Sequence, residues 1–156
     1  MTVNILNPSK LFVGIGNEFR GDDSLGLLIA KRLEQKNISG IEIVTLSSEL
    51  FSLLDLWQGR DHVILCDAVS SKKTPGTIFR LDLLENSSDS DLFNFSSHSF
   101  GIAEILALAR KLDQLPRKLS FFGIEGADYT YGNKLSAPVE KSMNLLIDEI
   151  SQMFIN

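Results

Sequence analysis

Along this chain short apolar runs alternate with stretches whose apolar residues recur every three or four positions, and each change of period marks a boundary between elements. Residues 1 to 9 are a lead-in, and Lys10 to Ile15 is an apolar run of strand length. Leu25, Leu28, Ile29 and Leu33 then fall on one face of a helix expected over about Asp22 to Lys36. Asn37 to Gly40 stops it, and Ile41 to Leu46 predicts a second strand. Ser47 or Ser48 is placed to cap a second helix carrying Leu50, Phe51, Leu54 and Trp57 and ending near Gly59. His62 to Asp67, HVILCD, is apolar nearly throughout, the pattern of a central parallel strand buried on both faces. Only Val69 to Gly76 separates it from the next apolar stretch, too little for a parallel crossover, so Thr77 to Leu81 is expected to run antiparallel to its predecessor. Asp82 to Ser97 is polar, acidic and weakly patterned, and reads as a long surface loop. A third helix follows over Ser99 to Leu112, then a last strand over Lys118 to Ile124 and a second long loop from Glu125 to Leu135. Ser136 and Pro138 open a terminal helix whose Val139, Met143, Leu146, Ile147, Ile150 and Phe154 share a face.

Assembled, these elements make a three-layer α/β domain with a mixed, mostly parallel sheet of about five strands and helices on both faces, one domain over residues 1–156. With 156 residues, 44% of them hydrophobic, the chain is long enough to bury a sizeable core. A net charge of -5 argues against nucleic acid or an anionic membrane surface as partner. No apolar run approaches the roughly 20 residues of a membrane span, and the start lacks the marks of a signal peptide. The lone Cys66 cannot form an internal disulfide, so a cytoplasmic setting is the default, and nothing requires more than a monomer.

The candidate chemistry begins where the first strand passes through Gly14, Gly16 and Gly21 into a helix. Such a junction commonly cradles phosphate, and Gly16 and Gly21 have P-loop spacing. Here, however, Glu18, Asp22 and Asp23 put three carboxylates in six residues where a P-loop needs lysine and a hydroxyl, so the expected guest is a cation or a cationic group. The bland role for Asp22 and Asp23 is helix capping, worth roughly 0.3–2 kcal/mol, but one helix needs one cap. Ligands of open α/β sheets bind beyond the carboxyl ends of parallel strands, where Asp67 and His98 are also expected. With Asp22 and Asp23 after the first strand, Asp67 and His98, carboxylate and imidazole together suit a divalent transition metal with open positions, with nickel, zinc, manganese and iron all acceptable. Against this, Asp67 and His98 have ordinary readings as a strand-end acid and a helix-start residue. Cys66, one residue before Asp67, points to the opposite sheet face and reads as core.

GIGNEFRGDDSLG resembles the opening motif of the hydrogenase maturation proteases: G-x-G-N, a short gap, then a pair of acids before x-x-G, here Gly14, Gly16, Asn17, Asp22, Asp23 and Gly26. VILCDAVSSKKTPGTIFRL and SSHSFGIAEILALA resemble that family's later segments in order and spacing. The resemblance implies an endopeptidase that removes the C-terminal extension of a nickel-iron hydrogenase large-subunit precursor once nickel is inserted. It places metal contacts at Asp23, Asp67 and His98, with the nickel supplied by the substrate precursor. Asp22 or Asp23 is available as general base, and the reading favoured for Asp22 is a cap. The alternative from the same three ligands is a nickel-binding maturation chaperone without peptidase activity. A further one is a flavodoxin-like ligand binder whose acids only cap helices.

Overall fold

The computed structural model describes residues 8–85, 98–132 and 134–155. Five strands form one sheet: β1 (Lys10–Ile15), β2 (Ile41–Leu46), β3 (His62–Val69), β4 (Ile78–Asp82) and β5 (Leu119–Glu125). Their order is β2-β1-β3-β5-β4, with every pairing parallel except β4 against β5. The helices are α1 (Leu25–Gln35), α2 (Leu53–Trp57), α3 (Ser99–Leu112) and α4 (Ala137–Ile155).

Strand alternation splits the core into two layers. Leu11, Val13, Leu65 and Phe121 face one side, where they pack with Trp57, Ile102, Ile105 and Leu106 of α2 and α3. Phe12, Ile64, Cys66 and Phe122 face the other, against Leu25, Ile29, Leu33, Val139, Met143 and Leu146 of α1 and α4. This is the expected three-layer α/β domain. Asp67 is odd-numbered on β3 like Val63 and Leu65, so it points toward the α2 and α3 side while Cys66 points away from it.

Packing of α1 on the sheet is closer than side chains would allow. A Cβ on Gly14 would come within 2.1 Å of the Gly26 carbonyl oxygen, and one on Gly26 within 2.2 Å of the Ile15 carbonyl oxygen and 2.6 Å of that of Cys66. Helix backbone therefore rests directly on strand backbone at the carboxyl ends of β1 and β3.

Three details differ from the sequence pattern. Asp22 and Asp23 lie in a single 3-10 turn, Gly21–Ser24, and α1 proper begins only at Leu25. The second helix is shorter than expected: a 3-10 turn at Leu50–Ser52 leads into five residues of α2, Leu53 rather than Phe51 is buried, and Glu49 rather than a serine side chain receives the Ser47 and Ser48 N–H groups. β4 runs antiparallel as expected, but its partner is β5, inserted between it and β3. The surface-loop reading of Asp82 to Ser97 falls largely on residues 86–97, outside the described residues.

Candidate active site

Strands β1 and β3 are neighbours, and their carboxyl ends deliver the first two candidate residues. After β1 the chain turns at Gly16, where a Cβ would come within 2.5 Å of the Asp23 carbonyl oxygen. Asn17 N–H donates to that oxygen at 3.0 Å, and the Asn17 amide Nδ2 donates to Asp23 Oδ2 at 2.7 Å. Backbone and side chain of Asn17 together fix where the Asp23 carboxylate points. The asparagine of the glycine motif thus has a positioning role that its letter in the sequence leaves unstated.

Asp67 is fully buried at the end of β3. Its Oδ1 accepts the Ala68 N–H at 2.8 Å, and its Oδ2 lies 2.8 Å from Nδ1 of His98, the residue preceding α3. His98 is itself buried and is bonded to the Ser47 backbone as well. Burial pushes the Asp67 carboxyl above the usual carboxylate range, while the bond to His98 pulls the other way. That same bond raises His98 above the usual imidazole range, against its own desolvation.

Asp23, Asp67 and His98 converge: each offers a ligand atom, and these atoms all lie within 4.8 Å of one another. Among the described residues neither carboxylate is paired with a lysine or arginine. Two acids without a lysine or arginine partner, beside an imidazole, are a donor set for a borderline divalent cation.

Asp22 does not belong to this cluster and does not cap α1. It is fully buried and faces the chain between β5 and α4. Its Oδ2 accepts the Ala127 N–H at 2.7 Å, the Asp128 N–H at 2.9 Å and the Ser136 hydroxyl at 2.8 Å, and its Oδ1 accepts the Ser136 N–H at 2.8 Å. Backbone bonds extend the seam, from Asp22 N–H to the Asp128 carbonyl, from Gly21 N–H to that of Gly132, and from Gly132 N–H to that of Phe19. Asp22 is thus the anchor that joins the glycine loop to the loop before α4, a role set by partners more than a hundred positions away.

Glu125 is another residue the sequence left unassigned. Buried at the end of β5, it accepts the Ser71 N–H and hydroxyl and the Lys73 N–H, holding the loop between β3 and β4. Tyr129 donates its hydroxyl to the Val69 carbonyl at 2.7 Å, and burial raises that phenol to about 12. Cys66 is enclosed on the α1 and α4 side, where burial drives its thiol far above the ordinary range.

Comparison with known proteins agrees in sequence and in shape. The family model for hydrogenase maturation protease matches residues 27–153, a span that takes in Asp67 and His98 and begins after Asp23. The hydrogenase 2 maturation protease of Escherichia coli (strain K12) is 34% identical over 119 residues, 73% of this chain and 71% of that protein. The solved structure of the hydrogenase maturating endopeptidase HybD from E. coli superposes with a TM-score of 0.77 at 28% identity, covering 90% of this chain and 88% of that one. The [NiFe] hydrogenase maturation protease HybD from Thermococcus kodakarensis has the same fold, with a TM-score of 0.72 at 22% identity over 93% and 98% of the two chains.

Proposed function

The chain belongs to the hydrogenase maturation protease family, and from that premise we propose that this endopeptidase removes the C-terminal extension of a nickel-iron hydrogenase large-subunit precursor after nickel has been inserted. The observation that carries the reading is the convergence of Asp23, Asp67 and His98 within 4.8 Å. In this reading the three side chains complete the coordination of nickel already held by the precursor, which brings the scissile peptide beside them.

The parts played by the chain's own residues follow from their surroundings. Asp67 is held by the Ala68 N–H and orients the His98 ring, so the two act as one unit. Asp23 is only partly buried, steadied by Asn17, and is the carboxylate of the cluster that faces incoming substrate. It is therefore the one placed to accept a proton from an attacking water, whereas Asp22 has its oxygens occupied by four donors. The Asp22 seam ties the glycine loop that carries Asp23 to the loop before α4.

A nickel-binding chaperone using the same ligands would hold the precursor without shortening it. The test is incubation of the purified protein with nickel-loaded large-subunit precursor, followed by mass measurement. Loss of the extension is expected with the native protein and not with Asp67→Asn or His98→Ala. If both variants process the precursor at near the native rate, the site lies elsewhere.

A further inference from the structure

A third connection opens on the same edge of the sheet as Asp23 and Asp67: the turn from β2, the parallel neighbour of β1, into α2. It is tied to the cluster on two sides. Leu46, the last residue of β2, gives its carbonyl to the Gly16 N–H at 3.1 Å, one residue before the Asn17 that steadies Asp23. On the other side the Ser47 backbone meets the His98 ring. Leu50 packs on the first turn of α3, so closely that a Cβ on Gly101 would lie 2.9 Å from its Cδ1.

The peptide groups of this turn are held by one side chain. The Ser47 N–H donates to Glu49 Oε1 at 3.0 Å, and the Ser48 N–H and hydroxyl both donate to Glu49 Oε2 at 3.3 Å. With its N–H taken, Ser47 presents its carbonyl to His98, and since Nδ1 of the ring is turned to Asp67, the nitrogen that donates to Ser47 is Nε2. The two N–H groups hold the Glu49 carboxyl below the usual carboxylate range, so the acceptor is charged at neutral pH. Glu49 is exposed and belongs to no ion pair among the described residues. Its own backbone is fixed in turn, its carbonyl accepting the Ser52 N–H at 3.1 Å and the Ser52 hydroxyl.

We propose that Glu49 is a positioning residue for His98: its carboxylate fixes the peptide of Ser47, and the Ser47 carbonyl together with Asp67 fixes the orientation of the imidazole within the cluster. The effect on cleavage rests on the protease reading above, whereas the path from Glu49 through Ser47 to the ring does not. A carbonyl steers a ring only if the peptide that carries it is itself held, and a turn beyond the end of a strand has no ladder to hold it. Glu49 supplies that restraint from two residues away. The ring then waits in one rotamer, and a metal that takes the place of one of its two partners meets an imidazole already oriented.

The experiment compares the native protein with Glu49→Ala and Glu49→Gln, each checked for an unchanged melting temperature, as substitution of an exposed side chain allows. Glu49→Gln keeps an oxygen for one of the two N–H groups. The first readout is the ring spectrum of metal-free protein labelled with nitrogen-15 at histidine. The chain has two histidines, and His62, 3.0 Å from the Ser120 hydroxyl at the opposite edge of the sheet, is assigned with His62→Gln and serves as internal control. In Glu49→Ala the Nε2 signal of His98 should shift and its proton exchange faster, with His62 unmoved and Glu49→Gln in between. The second readout is processing of nickel-loaded precursor. There kcat should fall about tenfold in Glu49→Ala, the lower end of the usual effect of an outer partner, and less in Glu49→Gln, with KM within about twofold. Unchanged His98 signals in Glu49→Ala would overturn the proposal whatever the rate does, because Glu49 would not be acting through the ring. A shifted ring with unchanged kcat would overturn it as well. If native protein leaves loaded precursor uncut, the protease reading fails, and the ring spectra still decide whether Glu49 holds His98.

Discussion

Asp22 and Asp23 are adjacent, carry the same side chain and do unrelated work. Asp22 is a fully buried acceptor for four donors from the β5–α4 connection, so Asp22→Asn places an amide among groups that need a carboxylate. The expected cost is about 3 kcal/mol of stability, read as a lowered denaturation midpoint, with the loss of activity following from the loosened loop. Asp23→Asn should do the reverse, changing stability by no more than about 1 kcal/mol while ending precursor cleavage. Equal stability of the two variants would refute the division of labour. Asn17→Ala removes the amide that steadies Asp23, and outer partners of this kind usually matter 10–100-fold, so processing should slow by about that range without loss of fold. Cys66 sits one position from Asp67 but on the other face of the sheet. Thiol reagents should leave the native protein unmodified and active, and Cys66→Ala should cost about 1 kcal/mol with processing retained. A reagent-sensitive activity would show that the thiol reaches the site. At this scale the core position of Cys66 was legible from strand alternation alone, and the convergence of Asp23, Asp67 and His98 from strand ends and the family motif. Asp22 was not, because two acids before a helix look like caps until residues 127, 128 and 136 are brought against one of them.

Among the elements, α1 carries the tightest constraint, since its first full turn lies backbone to backbone on β1 and β3. Gly26→Ala would drive a methyl group into the carbonyl oxygens of Ile15 and Cys66, atoms that cannot rotate away. The expected loss is about 3 kcal/mol or more, with Asp23 displaced as α1 lifts. Gly40→Ala is the control: its φ of +81° carries a conformational cost of about 1 kcal/mol, but nothing lies within 4 Å of the new methyl group. Denaturant melts of the two variants should separate them clearly, and equal losses would mean that α1 tolerates a shift off the sheet. The strands and the long helices were readable because each carries a sustained period. The α2 segment misled because its apolar residues fit two registers, and only packing against the sheet decided for Leu53 over Phe51. The partner of β4 was unreadable for a different reason: sequence order gives its direction after a short connection, but β5, formed some forty residues later, takes the place beside β3.

For the whole molecule, the topology makes the site before any side chain is considered. With β1 and β3 adjacent and parallel, two strand ends open on the same edge of the sheet, and α3 brings His98 to it from the layer above. What the fold assembles there is two oxygen donors and one imidazole with no thiolate, a comparatively weak set for nickel, whose affinity rises with nitrogen and sulfur donors. For the proposed function, weak intrinsic affinity suits an enzyme that distinguishes loaded from empty precursor: one that carried its own nickel firmly would cut both and release an inactive large subunit. On the proposed function, the purified protein should therefore be largely metal-free, and added nickel should not license cleavage of empty precursor. The decisive measurement crosses metal-free and nickel-treated protein with empty and loaded precursor, with free metal removed before mixing, and reads the products by mass. Cleavage should follow the state of the precursor and ignore the treatment of the enzyme. Cleavage of empty precursor by nickel-treated protein would mean instead that Asp23, Asp67 and His98 hold a resident catalytic ion, and that selection for loaded substrate is made by some other part of the surface.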